Sequence, residues 1–127
     1  MDPERTRVVL ASLAEEMAVR EAIELEAFCR ERRMGVGPVI VNQRVPERFD
    51  DAEIDSMTSI TDPGPSLATA MAAARREHQL AASQSESVAP LVKGRCAVWN
   101  LPRVIDHEPA VLLEELVAHL MGFVRNG

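Results

Sequence analysis

The chain has 127 residues, enough for one domain with a hydrophobic core, and its 46% hydrophobic and 27% charged composition is typical of a soluble globular protein. A net charge of −6 and an aromatic content of 3% argue against nucleic acid or an anionic membrane as the main partner. No apolar run approaches the ~20 residues of a transmembrane helix, and the charged start lacks a signal-peptide core. We therefore expect a cytoplasmic protein without a transmembrane segment.

The first predicted elements form a β-α-β unit. Arg7–Leu13 is nearly continuous in apolar residues, which predicts a central strand. An amphipathic helix is predicted from Ala18 to Arg33, and Gly35 and Gly37 should end it. The apolar residues predicted to be buried on this helix are Ala18, Ala22, Leu25 and Cys29.

The segment Gly37-Pro38-Val39-Ile40-Val41-Asn42-Gln43 is the most informative part of the sequence. Its β-branched run without alternation predicts a strand buried on both faces of a parallel sheet. Ligands bind beyond the carboxyl ends of such strands, which is where Asn42 and Gln43 emerge. An Asn carboxamide offers both donors and an acceptor, the set that reads an adenine edge. The pattern therefore marks Asn42 as a candidate base-binding residue.

A long irregular segment is predicted after this strand. Residues 44–65 contain three prolines among charged residues and only a weak helical pattern near Asp51–Met57, which is typical of a binding lid or a disordered loop. Ser66 is the predicted N-cap of the next helix. That helix is expected to fray at Ser83–Ser87 and to stop at Pro90.

The last part of the chain predicts a third strand and a final helix. Cys96–Asn100 is the strand, and residues 101–103 leave its carboxyl end. Pro109 suits the first turn of a helix with a clear apolar face. The predicted fold is therefore a single α/β segment over residues 1–127. It has three layers, with a parallel sheet of about three strands and covering helices.

The sequence lacks the usual catalytic and metal-binding motifs. There is no G-x-x-x-x-G-K-[ST] phosphate loop, no G-x-G-x-x-G and no G-x-S-x-G. The polar clusters Glu15-Glu16, Arg75-Arg76 and Asp106-His107-Glu108 are interpreted as a helix N-terminus, a solvated helix face and a polar loop. Cys29 and Cys96 are expected to be buried, reduced thiols. No catalytic residue and no metal ligand is predicted.

Four stretches in order carry a resemblance to a known family. They are Thr6–Met17 with the following Glu21–Leu25, Val39–Gln43, Arg75–Gln79, and Val98-Trp99-Asn100-Leu101-Pro102. Together they resemble the C-terminal part of the arsenical pump-driving and tail-anchored-protein-targeting (anion-transporting) ATPases, a deviant Walker A branch of the P-loop proteins. The resemblance spans nearly the whole chain, although each motif is short.

The resemblance implies the C-terminal part of a P-loop NTPase fold and a set of adenine-binding residues. Asn42, with Gln43 beside it, would contact the adenine of ATP. Leu101, Pro102 and Arg103 would form the wall of the base pocket. The family's phosphate-loop Lys and its catalytic and magnesium-binding carboxylates have no counterpart in this sequence. ATP is therefore expected to bind through its adenine end only, with Mg²⁺ bound only in the presence of the missing half. The cysteine pair that forms the zinc-linked dimer in targeting members is absent too.

These observations leave three functions open. The first is an ATPase segment that couples ATP binding and hydrolysis to transport or protein targeting only with a P-loop half, which would lie in the same full-length protein or in a partner chain. The partners expected for it are a nucleotide and either a second copy of the chain or a P-loop-containing ATPase chain. The alternative is a non-catalytic interaction or regulatory module that pairs with a full-length ATPase. The third is an unrelated small α/β domain. Because a three-stranded parallel sheet exposes an edge, we also expect the isolated chain to self-associate.

Overall fold

The computed structural model describes residues 6–104 and 109–126 and confirms the predicted three-layer α/β fold. Within these residues, three parallel strands form one sheet in the order β1-β2-β3, and four helices flank it. In chain order the elements are β1 (Arg7–Leu13), α1 (Glu16–Glu31), β2 (Gly35–Arg44), α2 (Asp51–Thr58), α3 (Pro65–Val92), β3 (Val98–Pro102) and α4 (Pro109–Asn126).

The hydrophobic core lies on one face of the sheet, which we call the first face. Leu10 of β1 and Val39 and Val41 of β2 are almost fully buried there. Helices α1 and α3 cover these side chains and contact each other. The helical residues of the core cluster are Val19, Ala22, Val88 and Leu91. The β-branched run of β2 is therefore buried because it is the central strand beneath two helices.

The opposite, second face is covered only in part. Trp99 of β3 stacks on Phe123 of α4, with ring centroids 5.3 Å apart. At the other side of the sheet, Val9 of β1 remains 51% exposed. The strand order β1-β2-β3 makes β1 an edge strand, so the prediction that it is central was wrong. Its apolar residues alternate between the buried first face and the open second face. Composition alone does not distinguish such a strand from one that is buried on both faces.

A β-bulge accommodates Pro38 in the central strand. Val8 pairs with Val36 and Leu10 pairs with Val39, so β2 contains one more residue than β1 in this interval. Pro38 has no N–H to donate to a neighbouring strand, and a bulge is one of the few places in a sheet that tolerates this loss. The bulge lets β2 begin at Gly35, earlier than the predicted strand.

Helix α1 ends without the help of glycine. Arg33 adopts a left-handed conformation with φ 57°, and Met34 N–H donates to the carbonyl of Cys29 while Arg33 N–H donates to that of Arg30. These two bonds form a Schellman motif. The prediction that Gly35 and Gly37 end the helix was wrong, because both glycines lie in β2.

Helix α3 is longer at both ends than predicted. Its N-cap is Gly64 with Pro65 in the first turn, so Ser66 is not the cap. Residues 83–87 are helical and Pro90 lies inside the helix, which continues to Val92. Pro90 is exposed, and its missing N–H costs only one bond near the helix end, while the buried Val88 and Leu91 anchor the last turn.

The last strand also differs from its predicted bounds. β3 begins at Val98 and includes Leu101 and Pro102, while Cys96 precedes it. The cluster Asp106-His107-Glu108 lies outside the described residues. No helix in the described ranges is both long and apolar enough to cross a membrane.

Candidate functional site

The carboxyl end of β2 places Asn42 and Gln43 at the rim of the sheet. Gln43 has φ 57°, and its N–H donates to Oδ1 of Asn42 at 2.9 Å. A left-handed conformation is uncommon for a residue other than glycine and is most frequent where the surroundings impose it. This hydrogen bond orients the side chain of Asn42 relative to the turn.

The carboxyl end of β3 lies beside this turn. Pro102 pairs with Arg44, and the backbone N–H of Arg103 donates to the carbonyl of Arg44 at 2.7 Å. The ladder between β2 and β3 thus extends one residue beyond the end of β3. This contact brings the two predicted halves of the site to the same edge of the sheet, as expected for parallel strands.

Four of the five predicted site residues line one cleft at this edge, which we call the carboxyl-edge cleft. It has a volume of about 320 Å³, within the lower range of small-ligand sites. Leu101 does not line it, because its side chain is buried at 8% exposure. The lining residues are Asn42, Gln43, Pro102, Arg103, Val104, Leu112 and Leu116.

The cleft combines two carboxamide residues, Asn42 and Gln43, with apolar walls. Oδ1 of Asn42 accepts one bond from Gln43, which leaves a second lone pair and both Nδ2 hydrogens for a ligand. Pro102, Leu112 and Leu116 supply the apolar surface, with Arg103 at the boundary. No carboxylate, histidine or cysteine is found among the described lining residues. The described lining residues can therefore hold and orient a flat polar heterocycle, and none of them is a general base.

Helix α3 anchors the chain segment that leaves the cleft. Gln84 accepts the backbone N–H of the buried Val45 at 2.8 Å through Oε1, and its Nε2 faces the carbonyl of Gln43 at 3.4 Å. Arg44 donates to Ser85, which donates to Glu47, each at 2.9 Å. These contacts hold the start of the predicted lid against α3. Farther along α3, Nδ1 of His78 lies 3.0 Å from the carbonyl oxygen of Phe49, and Nε2 lies 3.0 Å from Oδ1 of Asp51 at the start of α2.

A second polar cluster lies at the amino edge of the sheet, opposite the cleft. Arg30 at the end of α1 donates to Glu26 and to Sγ of Cys96, and Cys96 donates to Glu26 at 3.3 Å. The Arg30 guanidinium holds the pKa of Glu26 below its ordinary value, although partial burial opposes this shift. Burial raises the pKa of the Cys96 thiol, which favours its protonated form. Both cysteines are free thiols, and Cys29 is buried as predicted, whereas Cys96 is only partly buried and differs from the prediction.

The remaining sequence candidates that fall within the described residues do not line the cleft. Glu15 is the N-cap of α1 and Glu16 occupies its first turn, in agreement with the helix N-terminus interpretation. Across residues 6–104 and 109–126, no group of three or more His, Cys, Asp or Glu side chains is placed to hold a metal ion. Comparison with models of protein families and with curated proteins finds no match to this sequence.

Sequence reasoning missed three residues of the cleft, namely Val104, Leu112 and Leu116. The last two belong to the apolar pattern of α4, which predicts a buried face but does not say what that face covers. The half-buried leucines of α4 recur every four residues, at Leu112, Leu116 and Leu120. Leu113 and Val117, each one position later, are exposed. The inward positions could be found from this spacing only once the position of α4 beside β3 was known.

Proposed function

We propose that this chain is an adenine-binding segment similar to the C-terminal part of the arsenical pump-driving, anion-transporting type of ATPase. In this proposal it contributes the base side of a nucleotide site, through Asn42, Gln43, Pro102 and Arg103. It would couple ATP binding and hydrolysis to transport or protein targeting only together with a P-loop half. The observation that supports the proposal is the carboxyl-edge cleft, in which Asn42 faces apolar walls.

The chemistry of the cleft suits adenine better than guanine. Adenine presents the N7 acceptor next to the N6 amino donor, which the Nδ2 and the free Oδ1 lone pair of Asn42 complement. Guanine presents two acceptors, N7 and O6, at the same edge, so Oδ1 would face another acceptor. The apolar side chains of Pro102, Leu112 and Leu116 offer surfaces for the faces of the base.

The lack of a phosphate loop in the sequence is the reason that this proposal requires a second half. ATP hydrolysis by P-loop proteins needs a phosphate loop with its Lys, and Mg²⁺ held by a hydroxyl and a carboxylate. This sequence contains no such loop. The chain would therefore bind the base without catalysing hydrolysis, and Mg²⁺ would enter only with the phosphate-binding half.

Calorimetric titration with adenosine and guanosine tests this proposal. A small, partly apolar cleft with few polar side chains should give adenosine a dissociation constant on the order of 1 mM, with weaker binding of guanosine. Asn42→Ala should abolish adenosine binding. Asn42→Asp keeps the acceptor for the Gln43 N–H but loses the Nδ2 donor, so it should also fail to bind.

Asn100→Ala is the matched control, because Asn100 is exposed on β3 and does not line the cleft. Equal adenosine binding by Asn42→Ala and Asn100→Ala would contradict the proposed role of Asn42. Hydrolysis of ATP by the purified chain alone would contradict its dependence on a second half.

The open side of the sheet favours one further candidate, a non-catalytic module that pairs with a full-length ATPase. The exposed apolar residues of α4 are Val111, Leu113, Val117, Met121 and Val124, and β1 is an edge strand with Val9 and Leu13 exposed. Such surfaces and edges recruit other chains. This candidate predicts no binding of adenosine and stable capture of a P-loop ATPase chain. The adenine-binding segment predicts that adenosine binds through Asn42.

A further inference from the structure

A second cavity lies on the other side of Arg103, between helix α3 and the loop that follows β2. It has a volume of about 200 Å³, equal to roughly six or seven water molecules at about 30 Å³ each. Three arginines from three different elements converge on it, so we call it the arginine cavity. Its lining residues are Val45, Pro46, Arg48, Arg76, Glu77, Leu80 and Arg103.

The charges of the arginine cavity are opposite in sign to those of the whole chain. Oε1 of Glu77 lies 3.2 Å from Nε of Arg48, and Glu77 is the single carboxylate among the described lining residues. Among these described lining residues, three guanidinium groups and one carboxylate give an excess of two positive charges. The chain carries a net charge of −6, so an excess of arginine is not a general property of its surface.

Neighbouring contacts fix the walls of the cavity. The Arg103 N–H donates to Arg44, and the Val45 N–H donates to Gln84 of α3, at 2.7 and 2.8 Å. The Arg48–Glu77 ion pair closes a third side. These contacts hold the end of β3, the loop after β2 and α3 together, so the backbone positions that carry the three arginines are set before any ligand arrives. Such preorganisation lowers the cost of binding.

We propose that the arginine cavity binds the phosphoryl group of a small molecule. A phosphoryl group carries about two negative charges near neutral pH, which matches the excess of two positive charges among the described lining residues. Guanidinium groups donate two parallel hydrogen bonds to phosphate oxygens and stay charged at every physiological pH. The apolar side chains of Val45 and Leu80 line the cavity beside the arginines.

Two sources of this phosphoryl group share the same chemistry. It can belong to a free phosphate ester, or to a nucleotide whose base occupies the carboxyl-edge cleft, because Arg103 lines both cavities. The proposal does not depend on adenine binding, since Arg48, Arg76 and Glu77 line only the arginine cavity.

Titrations of the full chain with inorganic phosphate, AMP and adenosine test the proposal. Arg76→Gln removes one charged fork that does not touch the carboxyl-edge cleft, and it should weaken binding of the phosphoryl ligand by about tenfold or more. Arg75→Gln is the matched control, because Arg75 is the preceding residue of α3, contacts Thr58 and does not line the cavity. Binding should also weaken as salt is added.

The pattern of ligands identifies the source. Phosphate binding that Arg76→Gln weakens, with equal affinities for AMP and adenosine, supports a free phosphate ester. Tighter binding of AMP than of adenosine, with the difference lost in Arg76→Gln, supports a nucleotide that reaches both cavities. The proposal is overturned if neither phosphate nor AMP responds to Arg76→Gln, or if Arg75→Gln has the same effect. Loss of adenosine binding through Asn42→Ala reports on the carboxyl-edge cleft alone, so the two proposals fail separately.

Discussion

The two faces of the sheet are built from the same three strands, but helices cover them to different extents. On the first face, α1 and α3 bury Val39 and Val41 to 1% and 0% exposure. On the second face, α4 contacts β3, while Val9 at the β1 side stays half exposed. The first face therefore stabilises the fold. In the part of the chain that the structure describes, the second face is only partly covered, and residues of α4 and β3 line the carboxyl-edge cleft there.

The largest expected effect comes from a comparison of two leucines of β1 that point to opposite faces. Leu10→Ala removes a core side chain and should lower the free energy of unfolding by about 3 kcal/mol. Leu13→Ala acts on a side chain that is more than one-third exposed, so the loss should stay below about 1 kcal/mol. Urea unfolding measures both values. Similar losses would show that the second face is as important to stability as the first.

The next effect concerns the contact between α3 and the segment that leaves the cleft. Gln84→Ala leaves the N–H of the buried Val45 without its 2.8 Å acceptor, which should cost about 2 kcal/mol. Gln79→Ala, an exposed position of the same helix, serves as the control and should change stability by under about 0.5 kcal/mol. Equal unfolding midpoints in urea for the two variants would indicate that Gln84 does not anchor the segment.

The open second face should make the chain self-associate. Val117→Glu places a charge among the exposed apolar residues of α4 and should weaken association by about tenfold, or about 1.4 kcal/mol. Ala118→Glu adds the same charge to the adjacent exposed position of α4 and should have a smaller effect. Sedimentation velocity over a concentration series gives the association constants. A wild-type chain that stays monomeric throughout would contradict the expected self-association.

The smallest effect concerns pH at the amino edge. Because the hydrogen bond from Arg30 lowers the pKa of Glu26 in the folded chain, its ionised form contributes stability above the ordinary carboxyl pKa. That contribution is lost as the pH falls through the lowered pKa of the folded state. Glu26→Gln should therefore make thermal stability less sensitive to acid, while Glu24→Gln on the same helix should not. Parallel pH profiles for wild type and Glu26→Gln would refute this account.

The features that could be predicted from the sequence are those that depend on local residue pattern and on strand order. The bounds of β1 follow from its apolar run, and the proximity of Asn42 to Pro102 and Arg103 follows from the rule that parallel strands end at one edge. Helix ends were harder to predict. The left-handed residue that ends α1 is Arg33 rather than a glycine, and the end of α3 depends on tertiary burial that outweighs Pro90.

The rest of the site could not be predicted because it depends on packing between distant segments. Arg76 belongs to a pair interpreted as a solvated helix face, and that interpretation holds for its exposure. Only the three-dimensional structure places Arg76 opposite Arg48 and Arg103. The same applies to Leu112 and Leu116, which line the cleft because α4 lies along β3. Residues that act together from separate elements leave no signal in local spacing.

An adenosine titration followed by backbone amide NMR tests the central claim most directly, because it detects weak binding and locates it. The account predicts shifts at Gln43, Arg103, Val104 and the first half of α4, with none at the amino edge around Cys96. These shifts should disappear in Asn42→Ala and persist in Asn100→Ala. Shifts that survive Asn42→Ala, or that lie away from the carboxyl-edge cleft, would contradict the proposal that this edge of the sheet binds adenine.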